Sequence, residues 1–148
     1  MAQTATFTKL LDIREKDKTD AQLAYRRSVE KFEEVAEKIY QLLRKKEDAE
    51  QSYDSYLQQF IPLEKIKEQL AYIEVLNQRI LALQLELQRA RHDMNQKQEK
   101  LSSAHVEVKK FEKIIEIRQQ SEKALQEKRD KESMDEMSIR QYRSFKSR

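Results

Sequence analysis

Phe60-Ile61-Pro62-Leu63 decides the fold, because it holds the one proline of a 148-residue chain that has no glycine. Proline is tolerated in the first turn of a helix and disfavours helix at the residue before it. Pro62 therefore opens a second helix, and Glu64 suits the positive end of that helix's dipole. The alternative is a kink in one very long helix.

Upstream of this break runs an apolar stripe in alternating steps of four and three. It reads Phe7, Leu11, Arg14, Lys18, Ala21, Tyr25, Ser28, Phe32, Val35, Ile39, Leu42, Lys46, Ala49, Tyr53, Tyr56 and Phe60. A 3.5-residue repeat held this long is a coiled-coil seam. Threonines between Thr4 and Thr8 offer an N-cap, so the spacing predicts a first helix over about 6–59 and a turn at about 60–62.

Downstream, a helix over about 63–137 carries Leu63, Ile66, Leu70, Ile73, Ile80, Leu83, Leu87, Ala90, Met94, Leu101, Ala104, Val108, Phe111 and Ile115. The stripe slips phase between Ile73 and Leu83, through Leu76 or Asn77, and Lys97 interrupts it later. Beyond Ile115 it fades into Arg118, Glu122, Leu125, Arg129 and Glu132.

The two stripe lengths agree with a chain that doubles back. If Phe60 faces Leu63, paired residue numbers add to about 123, and Phe7 falls opposite a residue close to where the second stripe dies. The reading is all-α: one domain over 1–148, two long helices in an antiparallel coiled-coil hairpin, the second overhanging, and a basic C-terminal tail over 138–148. The paired length is roughly 80 Å at the helical rise per residue. Lysine and arginine on the seam set register at a cost in stability.

Composition excludes whole classes of chemistry. Charged residues make up 39% and apolar ones 38%, the balance of solvated helices with a narrow buried stripe. Without glycine there is no phosphate-cradling loop, and without cysteine no disulfide, thiolate zinc site or thiol nucleophile. No signal peptide or membrane span is legible. His92 and His105 lack the spacing of a helical metal site, and Glu33-Glu34 and Asp135-Glu136 lack an apolar pocket to shift a carboxyl. The expectation is no enzyme, no cofactor, no metal and no small-molecule ligand.

The net charge of +3 is uneven, since Ser138–Arg148 holds Arg140, Arg143, Lys146 and Arg148 and no acid. Such a segment suits an acidic protein groove, nucleic acid or anionic lipid. Elsewhere bases and acids interleave, which argues against nucleic acid as a partner. Surplus apolar residues are more telling. Between Leu70 and Leu87 a single seam cannot bury them all; Tyr72, Leu76 and Leu83 form a second face, with Ala36, Tyr40 and Leu43 outside the seam on the first helix. Surplus apolar surface of this kind marks a partner site or a self-association face.

Two terminal motifs carry a family likeness. Phe7-Thr-Lys-Leu-Leu-Asp-Ile-Arg-Glu-Lys resembles the opening of the flagellar export protein FliJ family, and Lys131-Glu-Ser-Met-Asp-Glu-Met-Ser-Ile-Arg-Gln-Tyr resembles its closing motif. The interior Met94-Asn-Gln-Lys-Gln-Glu and Val108-Lys-Lys-Phe-Glu-Lys are similar to the forms of spore-forming Gram-positive bacteria. The resemblance implies a cytoplasmic stalk and adaptor of the flagellar type III export apparatus, peripheral at the cell membrane through its partners. Those partners are the export ATPase (FliI), the export gate protein (FlhA) and export chaperones. It implies an ATPase-facing end at Phe7, Leu11, Arg14, Asp135, Glu136, Met137 and Arg140, and a gate-facing patch at Leu42, Tyr72, Leu76 and Leu83. The alternatives are a self-assembling structural coiled coil, or a virulence-type secretion stalk without a flagellar role.

The pairing register yields a direct measurement. Spin labels at Ile39 and Leu83 are expected to be close within one molecule by pulsed electron resonance; labels far apart, or close only between molecules, would rule out the intramolecular hairpin.

Overall fold

The computed structural model describes residues 2–146, and two helices account for nearly all of them: α1 (Ala2–Gln58) and α2 (Leu63–Lys146). They pack against each other in antiparallel fashion, with no strand among the described residues. Packing divides the chain into two units, Thr19–Ser102 and Met1–Lys18 with Ser103–Arg148.

The helix ends differ from the sequence reading in ways that have local causes. α1 is already helical at Ala2, so neither Thr4 nor Thr8 is an N-cap. The Thr8 hydroxyl instead donates to the Thr4 carbonyl at 2.9 Å, the back-bond open to a threonine inside a helix. At the other end, the Gln59 N–H donates to the Tyr56 carbonyl and the Ile61 N–H to that of Gln59. The Pro62 carbonyl then accepts from the N–H groups of Lys65 and Ile66 at 3.1 and 3.4 Å. Pro62 thus stands immediately before α2, where a missing N–H forfeits no helical bond.

The seam stops short of the turn. Phe60 is fully exposed and Leu63 mostly so, which corrects the expectation that they face each other. Phe60 lies past the last residue of α1, and Leu63 is one residue out of phase with Ile66. The segment 138–146, read from sequence as a tail, continues α2 without a break.

Within the unit Thr19–Ser102, the least exposed positions of α1 repeat the sequence stripe from Ala21 to Tyr56. Those of α2 are Ile66, Gln69, Ile73, Leu76, Ile80, Leu83, Leu87, Ala90, Met94, Lys97 and Leu101. These keep the alternating three and four steps throughout, so the phase slip expected near Asn77 does not exist. Leu70 had been placed on the seam, but it is exposed and Gln69 takes the position. The Gln69 amide donates to the Ala49 backbone carbonyl at 3.1 Å, so a half-buried polar group there is satisfied. Opposite running direction is fixed by that bond and by the Arg91 guanidinium, 5.8 Å from the Phe32 ring centre.

Polar seam residues find partners on their own helix. Lys46 and Lys97 are half-buried, and their amines reach Glu50 at 3.9 Å and Asp93 at 3.7 Å. Each lays its aliphatic stem along the seam and takes its charge to the rim. The buried Ser28 hydroxyl donates to the Tyr25 carbonyl at 2.6 Å.

Val35 and Leu76 are the most deeply buried side chains. Leu76→Ala is expected to cost about 2–5 kcal/mol in denaturant unfolding. Leu81→Ala, at an exposed position of the same helix, is expected to stay within about 0.5 kcal/mol.

Candidate partner-binding surfaces

The first helix's residues in the expected ATPase-facing set belong to a packed cluster. Phe7, Leu11 and Arg14 are half-buried against α2 in the unit of Met1–Lys18 with Ser103–Arg148. The Phe7 and Phe111 rings meet at 6.3 Å between centres. The Arg118 guanidinium lies 4.5 Å over Phe7 and that of Arg14 lies 5.9 Å over Phe111, so two cations bracket an aromatic pair. Each such contact adds attraction between cation and ring face. Arg118 also donates to the Gln3 side-chain carbonyl at 2.6 Å, and Arg14 pairs with Asp17 at 3.2 Å. Arg14 Nε is buried without a hydrogen-bond partner among the described residues. These contacts tie α1 to α2 within that unit.

The C-terminal half of the same set lies elsewhere. Thr4 donates to Glu122 at 2.9 Å, which marks how far α2 has climbed when α1 runs out. Every residue from Gln119 to Lys146 is exposed. Asp135, Glu136, Met137 and Arg140 therefore begin roughly 20 Å further along α2 than Glu122, at the helical rise per residue. The structure does not bring Phe7, Leu11 and Arg14 together with Asp135, Glu136, Met137 and Arg140; they are two surfaces.

The expected gate-facing patch also separates. Tyr72 is exposed, Leu42 and Leu83 are half-buried seam residues, and Leu76 is buried. Leu76 and Tyr72 do not share an outward face, because the unslipped seam claims Leu76. The outward face consists instead of Ala71, Val75, Gln78, Ala82 and Leu85, again in steps of four and three, flanked by Tyr72 and Leu81. Leu81 and Leu85 are well over half exposed. The apolar surplus is present in the sequence, but its outward phase is that of Ala71 to Leu85, legible in their 4-3 spacing, and not that of Leu76. On α1, Tyr40 and Leu43 are exposed, with Arg44 stacked 5.8 Å over Tyr40.

Among the described residues no group of acids and histidines is arranged to hold a metal, and no helix is long and apolar enough to cross a membrane.

The sequence profile of a family described as "FliJ: Flagellar FliJ protein" matches residues 3–147. The chain is 36% identical over 143 residues to a Bacillus subtilis (strain 168) protein named "Flagellar FliJ protein", covering 96% of this chain and 97% of that one. No solved structure matches.

One carboxyl in the terminal cluster is perturbed. The hydrogen bond from Thr4 is the main cause that lowers the Glu122 pKa, with Arg118 adding a favourable charge. A carboxyl lowered on folding stabilises above its unfolded pKa and loses that contribution as pH falls through the folded value. The group is fully exposed, so the contribution to stability is small. By NMR titration Glu122 is expected to protonate below the ordinary glutamate range, and Thr4→Val to move it back toward that range.

Proposed function

The chain belongs to the flagellar FliJ family, and from that premise we propose that it is a stalk and adaptor of the flagellar type III export apparatus. Its work is to promote assembly and turnover of the export ATPase ring, link that ring to the export gate and escort export chaperones. The family match from residue 3 to residue 147 carries this reading. Two features of the structure support it. The exposed helix 123–146 offers a shaft to a ring, and the outward face from Ala71 to Leu85 offers an apolar docking strip to a second partner.

The division of surfaces refines the assignment. The ATPase contact is made by Asp135, Glu136, Met137 and Arg140, all exposed, while Phe7, Leu11 and Arg14 serve chiefly to hold the unit together. The gate contact centres on Tyr72 with Val75, Leu81 and Leu85, and Leu76 supports it from beneath. A shaft biases a ring only if it binds the subunit states differently. The protein works at the cytoplasmic face of the membrane, where the gate is reached.

ATP turnover by the export ATPase, measured with and without this protein, tests the proposal. Wild-type chain is expected to raise turnover, and Asp135→Lys/Glu136→Lys to reduce that rise about tenfold by reversing exposed charges at an interface. Unchanged turnover on adding the wild-type chain would sink the ATPase role. Loss of the rise when residues 138–148 are deleted would extend the contact to the end of α2.

A further inference from the structure

We infer that the free edge of α1 from Val29 to Leu57 docks a basic amphipathic helix of a partner protein, laid alongside α1 in coiled-coil spacing. The residues that immediately follow each seam residue from Ser28 to Tyr56 form a second stripe. It keeps the same alternating steps of four and three and faces about 100° away from the seam. Its apolar members are Val29, Ala36, Tyr40, Leu43 and Leu57; the others are Glu33, Glu47, Glu50 and Asp54, and no base falls on it. Tyr40 and Leu57 are more than half exposed and Leu43 nearly so, so packing within the chain leaves them uncovered. The stripe lies wholly within the unit Thr19–Ser102 and runs for about 42 Å at the helical rise per residue. Beside Val29 it opens onto a groove of about 410 Å³ lined by Gln22, Tyr25, Arg26 and Leu101 as well. None of these residues belongs to the surfaces assigned to the ring or to the gate.

Spacing and charge select the occupant. A 3.5-residue repeat on an exposed face matches another helix, whose own side chains recur at that interval. The acids choose its sign. Lys46 reaches Glu50 at 3.9 Å, but Glu33, Glu47 and Asp54 make no ion pair among the described residues. Arg44 flanks the stripe and lies 5.8 Å over the Tyr40 ring, beside its apolar half. The open acids favour lysine or arginine on the partner, and they repel nucleic acid and anionic bilayers. A second copy using the same stripe would bring two sets of these acids into one contact with no base between them. The two halves also differ. Val29, Ala36, Tyr40 and Leu43 gather apolar surface upstream, and Glu47, Glu50 and Asp54 gather charge downstream. The docked helix is therefore apolar toward one end and basic toward the other, which fixes its direction along α1.

Fluorescence anisotropy of two labelled synthetic helical peptides, titrated with the full chain, tests this. Both carry leucine at seam spacing over about four heptads, one with lysine at the flanking positions and the other with glutamate. The lysine peptide is expected to bind about tenfold more tightly than the glutamate one, and less well in high salt. The net charge of +3 would give the opposite order if overall attraction were all that acted. Glu47→Lys/Asp54→Lys is expected to weaken the lysine peptide about tenfold, and Tyr40→Ser/Leu43→Ser by a similar factor. Glu127→Lys/Glu132→Lys makes the same change of charge at exposed positions of α2 and is expected to leave binding unaltered. Unchanged circular dichroism is the control for folding in each variant. Equal binding of the two peptides, wild-type affinity in both stripe variants, or an equal loss in the Glu127/Glu132 variant overturns the inference. Self-association of the wild-type chain in sedimentation that Glu47→Lys/Asp54→Lys abolishes also overturns it, and assigns the stripe to a second copy. None of these measurements contains the export ATPase or the gate, so they stand apart from the fate of the stalk proposal.

Discussion

The structure depends on keeping one stripe in phase along each of two helices. A 3.5-residue repeat leaves two positions per heptad to bury, and each unit here has little else for a core. A slip of one residue would rotate the stripe by about 100° and expose it. The chain therefore tolerates polar residues on the stripe more readily than a change of phase. Lys46 and Lys97 stay in place with their charges carried to acids on the same helix. Gln69 stays in place by bonding to the Ala49 carbonyl. Arg14 and Arg118 stay in place by stacking on Phe111 and Phe7.

That preference for phase over hydrophobicity explains what could be read from sequence and what could not. The stripe of α1 was legible to Tyr56, because its neighbours are polar enough to leave one choice of phase. Around Leu70 two phases are comparably apolar, and hydropathy alone selected Leu70 over Gln69. The deciding interaction is a hydrogen bond to a backbone group on the other helix, which has no sequence signature. The early start of α1 was hidden similarly, since a threonine that caps a helix and one that back-bonds inside it look alike as letters. The extension of α2 through Lys146 has no signature in the stripe, because a helix can continue where its seam has ended.

The candidate surfaces follow the same logic. The terminal motifs were legible as a family likeness, which the match over residues 3–147 bears out. Their spatial arrangement was not, because a motif gives no measure of where α1 runs out relative to α2. The Thr4–Glu122 bond supplies that measure and separates the two halves of the expected ATPase-facing set. Leu76 was misplaced for the reason Leu70 was: once the seam is given its true phase, Leu76 belongs inside and Ala71, Val75, Ala82 and Leu85 belong outside.

A division of labour results. Positions that hold the helices together are occupied by groups whose exchange would cost stability, so they are poor places to build recognition. On the proposed reading, recognition falls where packing makes no demand, on the back of α2 from Ala71 to Leu85 and on the exposed helix from Lys123 onward. A lone helix also has different chemistry at each azimuth. Asp135 and Glu136 differ by about 100° and Arg140 and Arg143 by about 60° around the axis. Subunits arranged around such a shaft meet acid, base or apolar side chains according to their position. On the proposed reading, that angular inequality is the physical means by which one asymmetric chain distinguishes otherwise identical subunits of a ring.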